Sequence, residues 1–270
     1  MKKLFPVLTI FVLILTACSD NTVNKDYSNY KITRIETDRE IYTRLDELLP
    51  ASDIVVRGKF CSDTKQELFY DNSDENGNGV LIDAVSTNYI SVSDVLYGNT
   101  EASEIRISQR YGAIDEKKEI VTFSSLTPMY KDDEWIFFLY YDNENDTYWC
   151  AGDCCGRMPV FSGKIKDNAQ KYIDLQIEYD ELLRNNESIP PEDIEAYINE
   201  GVKVFYGSEG SAFVLSKSDT EKALNIREKM TRISSQIEPS SFGVYSIDDV
   251  KLDLYAQAVR YFNLSQSGNG

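Results

Sequence analysis

Residues 134–150 read EWIFFLYYDNENDTYWC. From Trp135 to Tyr141 every residue is apolar or aromatic. A strand wetted on one face alternates polar with apolar residues, whereas an unbroken apolar run is covered on both faces. This run therefore predicts a central strand. Asn143–Asp146 supplies a polar turn and Thr147–Cys150 a returning arm, so the whole stretch reads as a hairpin.

The chain on either side keeps the strand pattern. SDIVVRGKF starts near Ser52, and TNYISVSDVLYG ends at Gly98. SEIRISQRYG puts Ile105 and Ile107 on one face and Glu104, Arg106 and Ser108 on the other. ELFYDN and VLIDAV flank a polar, glycine-rich tip and make a long hairpin. Residues 40–166 thus read as a small antiparallel barrel or sandwich. From residue 167 the period changes. NAQKYIDLQIEYDELLRNN places Tyr172, Leu175, Tyr179 and Leu182 on one helical stripe. Pro190 and Pro191 open a second helix that stops at Gly201. A hairpin turns around Gly207–Gly210. A third helix follows, with Ser218 and Glu221 spaced as a capping box and Ala223, Ile226, Met230, Ile233 and Ile237 as its stripe. The segment around Leu254, Ala258, Tyr261 and Phe262 reads as a helix. Residues 167–264 form a helix-rich α+β region packed on the barrel, and residues 265–270 fray. The fold class is α+β.

The first residues are MKKLFPVLTIFVLILTACSD. Two lysines precede a short apolar run, shorter than the roughly 20 residues a bilayer span needs, so the run reads as an export signal. Leu15-Thr16-Ala17-Cys18 resembles the lipobox of bacterial lipoproteins. That resemblance implies cleavage after residue 17, a diacylglycerol on the Cys18 sulfur and a protein held at the extracytoplasmic face of the cell membrane. Two acyl chains together anchor stably. Residues 18–39 are polar and are expected to be a flexible tether. The stretches ELLPASDIVVRGKF, YISVSDVLYGNTEASEIRISQ and DEWIFFLYY resemble, in that order, small exported barrel domains of bacterial surface proteins. Ala51, Asp53 and Gly58, then Val95, Leu96 and Gly98, carry the likeness, with Ser52 as a departure. It implies an OB-like barrel and no particular chemistry.

The formal charge is −17 and there is no histidine. The charge argues against nucleic acid as a partner, because phosphate contacts need clustered Lys and Arg. The missing histidine removes the commonest general base and the commonest transition-metal ligand. Ser124 and Ser125 have no G-x-S-x-G elbow around them. With Cys18 assigned to lipid, Cys61, Cys150, Cys154 and Cys155 are disulfide candidates outside the cytoplasm. The expected sets join Cys61 to the cluster and close a tight loop from Cys150 to Cys154 or Cys155. A zinc site is disfavoured by the crowded C-x3-C-C spacing, and the redox C-x-x-C spacing is absent. Asn72, Asp74, Asn76 and Asp83 match positions of a calcium loop, yet Asn stands where Asp is usual and the flanks read as strands; a solvated loop is the preferred reading, with no cofactor. Tyr141, Tyr148 and Trp149 flank the hairpin tip and form a candidate recognition surface. The expectation is a non-catalytic, lipid-anchored surface protein that binds an envelope protein, peptide or glycan. The alternatives are a carboxylate-dependent hydrolase acting on envelope glycan and an anchored assembly subunit.

Overall fold

In the computed structural model, residues 27, 29–35, 41–71, 79–123, 126–130, 133–160, 163–237 and 249–264 are described. The side chains of 62–64, 153–154, 163–166 and 249–250 are not. The strands in the first half are β1 (Lys31–Arg34), β2 (Ile54–Asp71), β3 (Val80–Tyr97), β4 (Glu104–Gln109), β5 (Tyr111–Ile114), β6 (Glu119–Thr122), β7 (Glu134–Asp142), β8 (Thr147–Cys150) and β9 (Arg157–Pro159). Strands β2, β3, β4, β8 and β7 pair in that order, and β7 pairs back onto β2, closing a five-stranded barrel. Closure removes the unpaired edges that an open sheet would expose.

The central-strand expectation holds for Trp135–Leu139, while Tyr140 and Tyr141 are exposed at the end of the strand, and alternation explains the buried part. Trp135, Phe137 and Leu139 point into the barrel with Ile54, Val56, Phe60, Ile90, Ile105 and Ile107. Ile136 and Phe138 point out, into a second core made with Val55, Met158 and the helices. Four of the five barrel seams are antiparallel, but β4 and β8 run parallel, Ile107 facing Tyr148 and Ser108 facing Trp149. The barrel is therefore not wholly antiparallel. The β7–β8 hairpin carries β8 to the far side of β7, where its direction matches that of β4. Gly98, at φ +74°, closes the turn after β3; a Cβ there would strike the Asp53 carbonyl oxygen.

Strands β2 and β3 are each 18 residues long and run well past the barrel as a two-stranded ribbon. Leu68, Leu81 and Ala84 of the ribbon pack on Val121 and Phe123 of a small sheet ordered β1-β6-β5. At Gly112 a Cβ would collide with Leu68 and Ala84, so glycine lets the two layers approach closely. Strand β1 falls within the segment expected to be a tether. Tyr27 is already buried with Tyr111, Ala113 and Ile120, and Lys31–Arg34 pair parallel with β6. The alternating apolar residues Tyr30 and Ile32 give this short segment enough burial to order. Residues 18–26 and 265–270 lie outside the described residues.

The second half comprises α2 (Gly163–Arg184), β10 (Glu187–Ile189), α3 (Ile194–Asn199), β11 (Val204–Tyr206), β12 (Ala212–Val214), α4 (Lys217–Ser234) and α5 (Asp249–Tyr261), while α1 (Leu45–Leu48) precedes the barrel. Helix α2 starts at Gly163, ahead of the boundary expected at residue 167. The buried stripe of α2 is Ala169, Tyr172, Ile173, Gln176, Tyr179, Asp180 and Leu183, rotated from the expected one, with Leu175 and Leu182 half-buried. Asp180 can face the core because its hydrogen bonds are made there, and Gln176 Nε2 donates to it at 3.1 Å while the buried Gln176 Oε1 has no partner among the described residues. The Asp180 carboxylate accepts from the Ser208 N–H at 3.1 Å, the Ser208 hydroxyl at 2.6 Å and Arg260 Nη1 at 3.1 Å, tying α2 to the β11–β12 turn and α5. The cap of α4 is Ser216 instead of Ser218, its Oγ accepting from the Asp219 N–H at 3.2 Å. The terminal segment is helical, as expected.

Arg157 is fully buried at one end of the barrel. Its Nη1 donates to Gln109 Oε1 at 2.6 Å, its Nη2 to the Thr127 carbonyl at 2.6 Å, and its guanidinium lies 4.6 Å from the Trp135 ring centroid. Gln109 passes the network to Asn88 at 3.1 Å. Burial pushes the guanidinium down to about 10, so it stays charged at neutral pH. These two hydrogen bonds and the indole face offset part of the desolvation cost of a buried cation.

Two stability predictions follow from this packing. Phe138→Ala removes a fully buried ring that touches the helical half and lies 6.1 Å from Phe262; urea unfolding is expected to show a loss of about 3–5 kcal/mol. Because one core joins barrel and helices, the transition is expected to stay single, with circular dichroism and tryptophan fluorescence midpoints falling together. Arg157→Met keeps the volume but strands the acceptors of Gln109 and Thr127, and about 3 kcal/mol should be lost in the same measurement.

Candidate functional site

The helices cover the barrel on the side of β2, β7 and β9, where Val55, Ile136, Phe138 and Met158 join their core. The outward side of β3, β4 and β8 carries no such layer among the described residues. Strand alternation decides which side chains it presents. In β3, Ala84, Ser86, Asn88 and Ile90 are buried, leaving Asp83, Val85, Thr87 and Tyr89 on the outer side. In β4, Ile105 and Ile107 fill the barrel, leaving Arg106 and Ser108 outside. Register then brings separate segments into rows. Tyr89 faces Arg106 and Thr87 faces Ser108. Ser108 in turn faces Trp149, and Trp149 faces Tyr140.

Trp149 sits at the centre of this face. Its Nε1 donates to Asp142 Oδ2 at 3.3 Å, and the Arg110 guanidinium lies 5.7 Å from its ring centroid, within cation–π range. Arg110 Nη1 is also 3.4 Å from Asp83 Oδ2. Beneath the ring, the Ser108 and Thr147 hydroxyls share a hydrogen bond of 3.1 Å. Arg106 Nη2 donates to the Asn145 carbonyl, while its buried Nε has no partner among the described residues. Asp142 is a turn anchor: it accepts from the Asn145 side chain at 2.7 Å and from the N–H groups of Glu144 and Asn145. Chiefly the Asn145 side-chain bond holds the Asp142 carboxyl below its ordinary range.

The three aromatic residues singled out from sequence divide between two faces. Trp149 lies on the outer face with the exposed Tyr140. Tyr141 and Tyr148 lie across the sheet from it, at the barrel mouth, with ring centroids 4.9 Å apart. The Tyr141 hydroxyl donates to Asp146 Oδ1 at 2.5 Å and its N–H to Asp53 Oδ2 at 2.7 Å. That hydroxyl bond to Asp146 raises the Tyr141 phenol, and burial, helped by Asp53, raises that of Tyr148. Sequence reading did not select Tyr89, Arg106 and Arg110 as site residues. The alternation of SEIRISQR already placed Arg106 opposite the isoleucines, but only the parallel β4–β8 pairing puts it near Trp149.

The remaining candidates are placed as follows. Cys18, Asn72, Asp74 and Asn76 lie outside the described residues. Asp83, the last of the calcium-loop set, is in β3, where Oδ1 accepts from the Ala84 N–H at 2.9 Å and Oδ2 faces Arg110. Among the described residues no group of three acidic, cysteine or histidine side chains is arranged to hold a metal ion. Cys61 sits in the ribbon, its thiol directed to the Lys59 carbonyl at 3.6 Å. Cys150 pairs with Leu139, whose other neighbour is Ile54. Cys61 lies seven residues along the strand from Ile54, about 23 Å, whereas a disulfide needs Cα atoms within about 7 Å. This register therefore keeps Cys61 too far from Cys150 for a direct link. The Cys155 thiol donates to the Tyr42 carbonyl at 3.2 Å. The side chain of Cys154 is outside the description.

Chemically, the outer face offers a flat aromatic ring, two guanidinium groups and a carboxylate acceptor within one patch. It has the parts to stack a ring and hydrogen-bond its substituents. No family model matches the chain, and neither the curated proteins nor the solved structures contain a significant match to it.

Proposed function

We propose that this chain is a lipid-anchored, extracytoplasmic binding module whose OB-like barrel presents the Tyr89–Arg106–Trp149–Arg110 face to an envelope glycan or peptide. The strand order β2-β3-β4-β8-β7, closed on itself, supports the OB-like reading. The leader ending in Leu15-Thr16-Ala17-Cys18 supports the anchor. The observation that carries the binding role is the seating of Trp149 between Arg110 and Asp142 on a barrel side that the helices leave uncovered. Aromatic and arginine side chains together are the usual centres of recognition energy, because they give large rigid contact with few rotors to freeze.

A non-catalytic role is supported by the bonding of the acids around the β7–β8 hairpin. Glycan hydrolysis by two carboxyls needs one of them held protonated as the general acid. Asp142 instead is pushed down by its hydrogen bonds, the Asn145 side chain first. Asp146 and Asp53 accept from Tyr141. Such acceptors suit orientation of a ligand's hydroxyl or amide donors.

The test is calorimetric titration of the purified protein with neutral envelope oligosaccharides and, separately, with envelope peptides. Trp149→Ala is expected to weaken the ligand that binds by about 2 kcal/mol, roughly thirtyfold in Kd, while the melting temperature changes little because Trp149 is only half-buried. Equal binding by Trp149→Ala would remove the face from recognition. Release of reducing sugar that Asp142→Asn abolishes would instead establish the hydrolase.

A further inference from the structure

The distal end of the β2–β3 ribbon exposes four large apolar side chains: Phe69 at 45%, Tyr70 at 47%, Val80 at 58% and Ile82 at 55%. They fall within three successive register positions, Phe69 opposite Asp83, Tyr70 opposite Leu81 and Asp71 opposite Val80, with Ile82 at the bulge between. No described element packs over them, although the neighbouring Leu68, Leu81 and Ala84 are taken up by the small sheet. Phe69 and Tyr70 are consecutive and point to opposite faces of the ribbon, so the exposed apolar side chains surround its end; single apolar residues are normal on a surface, but four at the end of a projecting arm suit a contact site.

The position of the chain's start indicates what the arm meets. Tyr27 is packed against Tyr111, and the Tyr111 carbonyl accepts from Ser86 Oγ of the ribbon at 2.9 Å. From Ser86 to Val80 is six residues of strand, about 20 Å. The nine residues from Cys18 to Asp26 span at most about 32 Å when extended. The anchored sulfur is therefore leashed to the very sheet on which the ribbon lies, and the arm's apolar end is within its reach. A bilayer holding Cys18 is also the apolar phase nearest to Phe69, Tyr70, Val80 and Ile82.

We infer that the distal ribbon is a second membrane contact, resting shallowly in the lipid interface beside the acyl anchor. This rests on acylation of Cys18. Phenylalanine and tyrosine suit that depth, with rings in the acyl boundary and the hydroxyl at headgroup level. The charges fix both the depth and the lipid. Asp71 is exposed at the end of β2. Its carboxylate stays at the headgroup level and keeps the arm out of the acyl core. The chain's net charge of −17 makes an anionic surface the less favourable one, so the contact is apolar and favours neutral lipid. Asp83 is balanced by Arg110, and Glu67 by Lys65 at 2.7 Å.

The experiment uses the full chain matured in a lipidating host and reconstituted into phosphatidylcholine vesicles with or without brominated acyl chains. Ile82→Trp places a reporter on the arm, and Leu224→Trp places one on the remote, exposed face of α4. Intact mass first reports the acyl groups. With acylation present, brominated lipid should extinguish most of the fluorescence added by Ile82→Trp and leave that of Leu224→Trp unchanged. The quenching should persist in molar salt and weaken when phosphatidylglycerol replaces part of the neutral lipid. An acylated protein whose Ile82→Trp signal is unquenched overturns the second contact while leaving the anchor intact. A chain with no acyl group overturns both. Cross-links running through residue 82 between two copies, with no quenching, would assign the arm to self-association and overturn the lipid contact.

Discussion

Strand β7 has water on neither face through its buried stretch. Trp135, Phe137 and Leu139 complete the barrel interior, and Ile136 and Phe138 complete a core shared with four helices. Everything else is arranged around that double obligation. Strand β7 must have neighbours on both edges, so the barrel closes through it. It must also have a layer on its back, so the helices dock there. A chain cut between barrel and helices would expose Ile136, Phe138, Val55 and Met158 together, an apolar surface that water does not tolerate. The two halves differ in period along the sequence and yet share one core.

The same obligation determines which side of the barrel stays open. Helices committed to the back of β7 and β2 leave the circumference at β3, β4 and β8 uncovered. Its inward side chains are fixed by the core and by the Arg157–Gln109–Asn88 network. The outward ones are then set by parity alone. A hydrogen bond between Ser108 and Thr147 locks β4 to β8 beneath Trp149, and Asp142 fixes both the hairpin turn and the indole. The indole is thus held in place by Asp142, by Arg110 and by the seam beneath it.

Much of this was legible in the residues. The apolar run from Trp135 revealed a strand covered on both faces as far as Leu139, and Ile105 and Ile107 revealed which side of β4 faces inward. The stripe of Ala223, Ile226 and Met230 was also legible, because packing there obeys the helical period without interruption. What stayed hidden depended on partners distant in sequence. Asp180 is a buried carboxylate in a helix, which no local pattern announces, because its partners Ser208 and Arg260 lie 28 and 80 residues away. The parallel β4–β8 seam could not be read from either segment, since alternation carries no direction. The division of Tyr141 and Tyr148 from Trp149 follows from a period of two, but only once the hairpin register is known. Lys31–Arg34 is too short to announce a strand without β6 beside it.

Strand β3 connects the two surfaces that remain. Val80 and Ile82 stand at its distal end, Tyr89 in the barrel wall, and seven residues of strand between Ile82 and Tyr89 amount to about 23 Å. An acyl anchor alone leaves a body free to tumble on its leash, and the average orientation of any face is then poorly defined. On the proposals above, a second contact at the ribbon end would turn a point of attachment into a line and fix the tilt of β3, and with it the direction of the Trp149 face. The ribbon's register shifts at Phe60/Ser62 and Asp63/Lys65 add twist, and the close approach at Gly112 clamps the arm onto β5. The arm would then act as a strut that holds the aromatic face about two nanometres from the bilayer, where an extended polymer of the envelope can pass between.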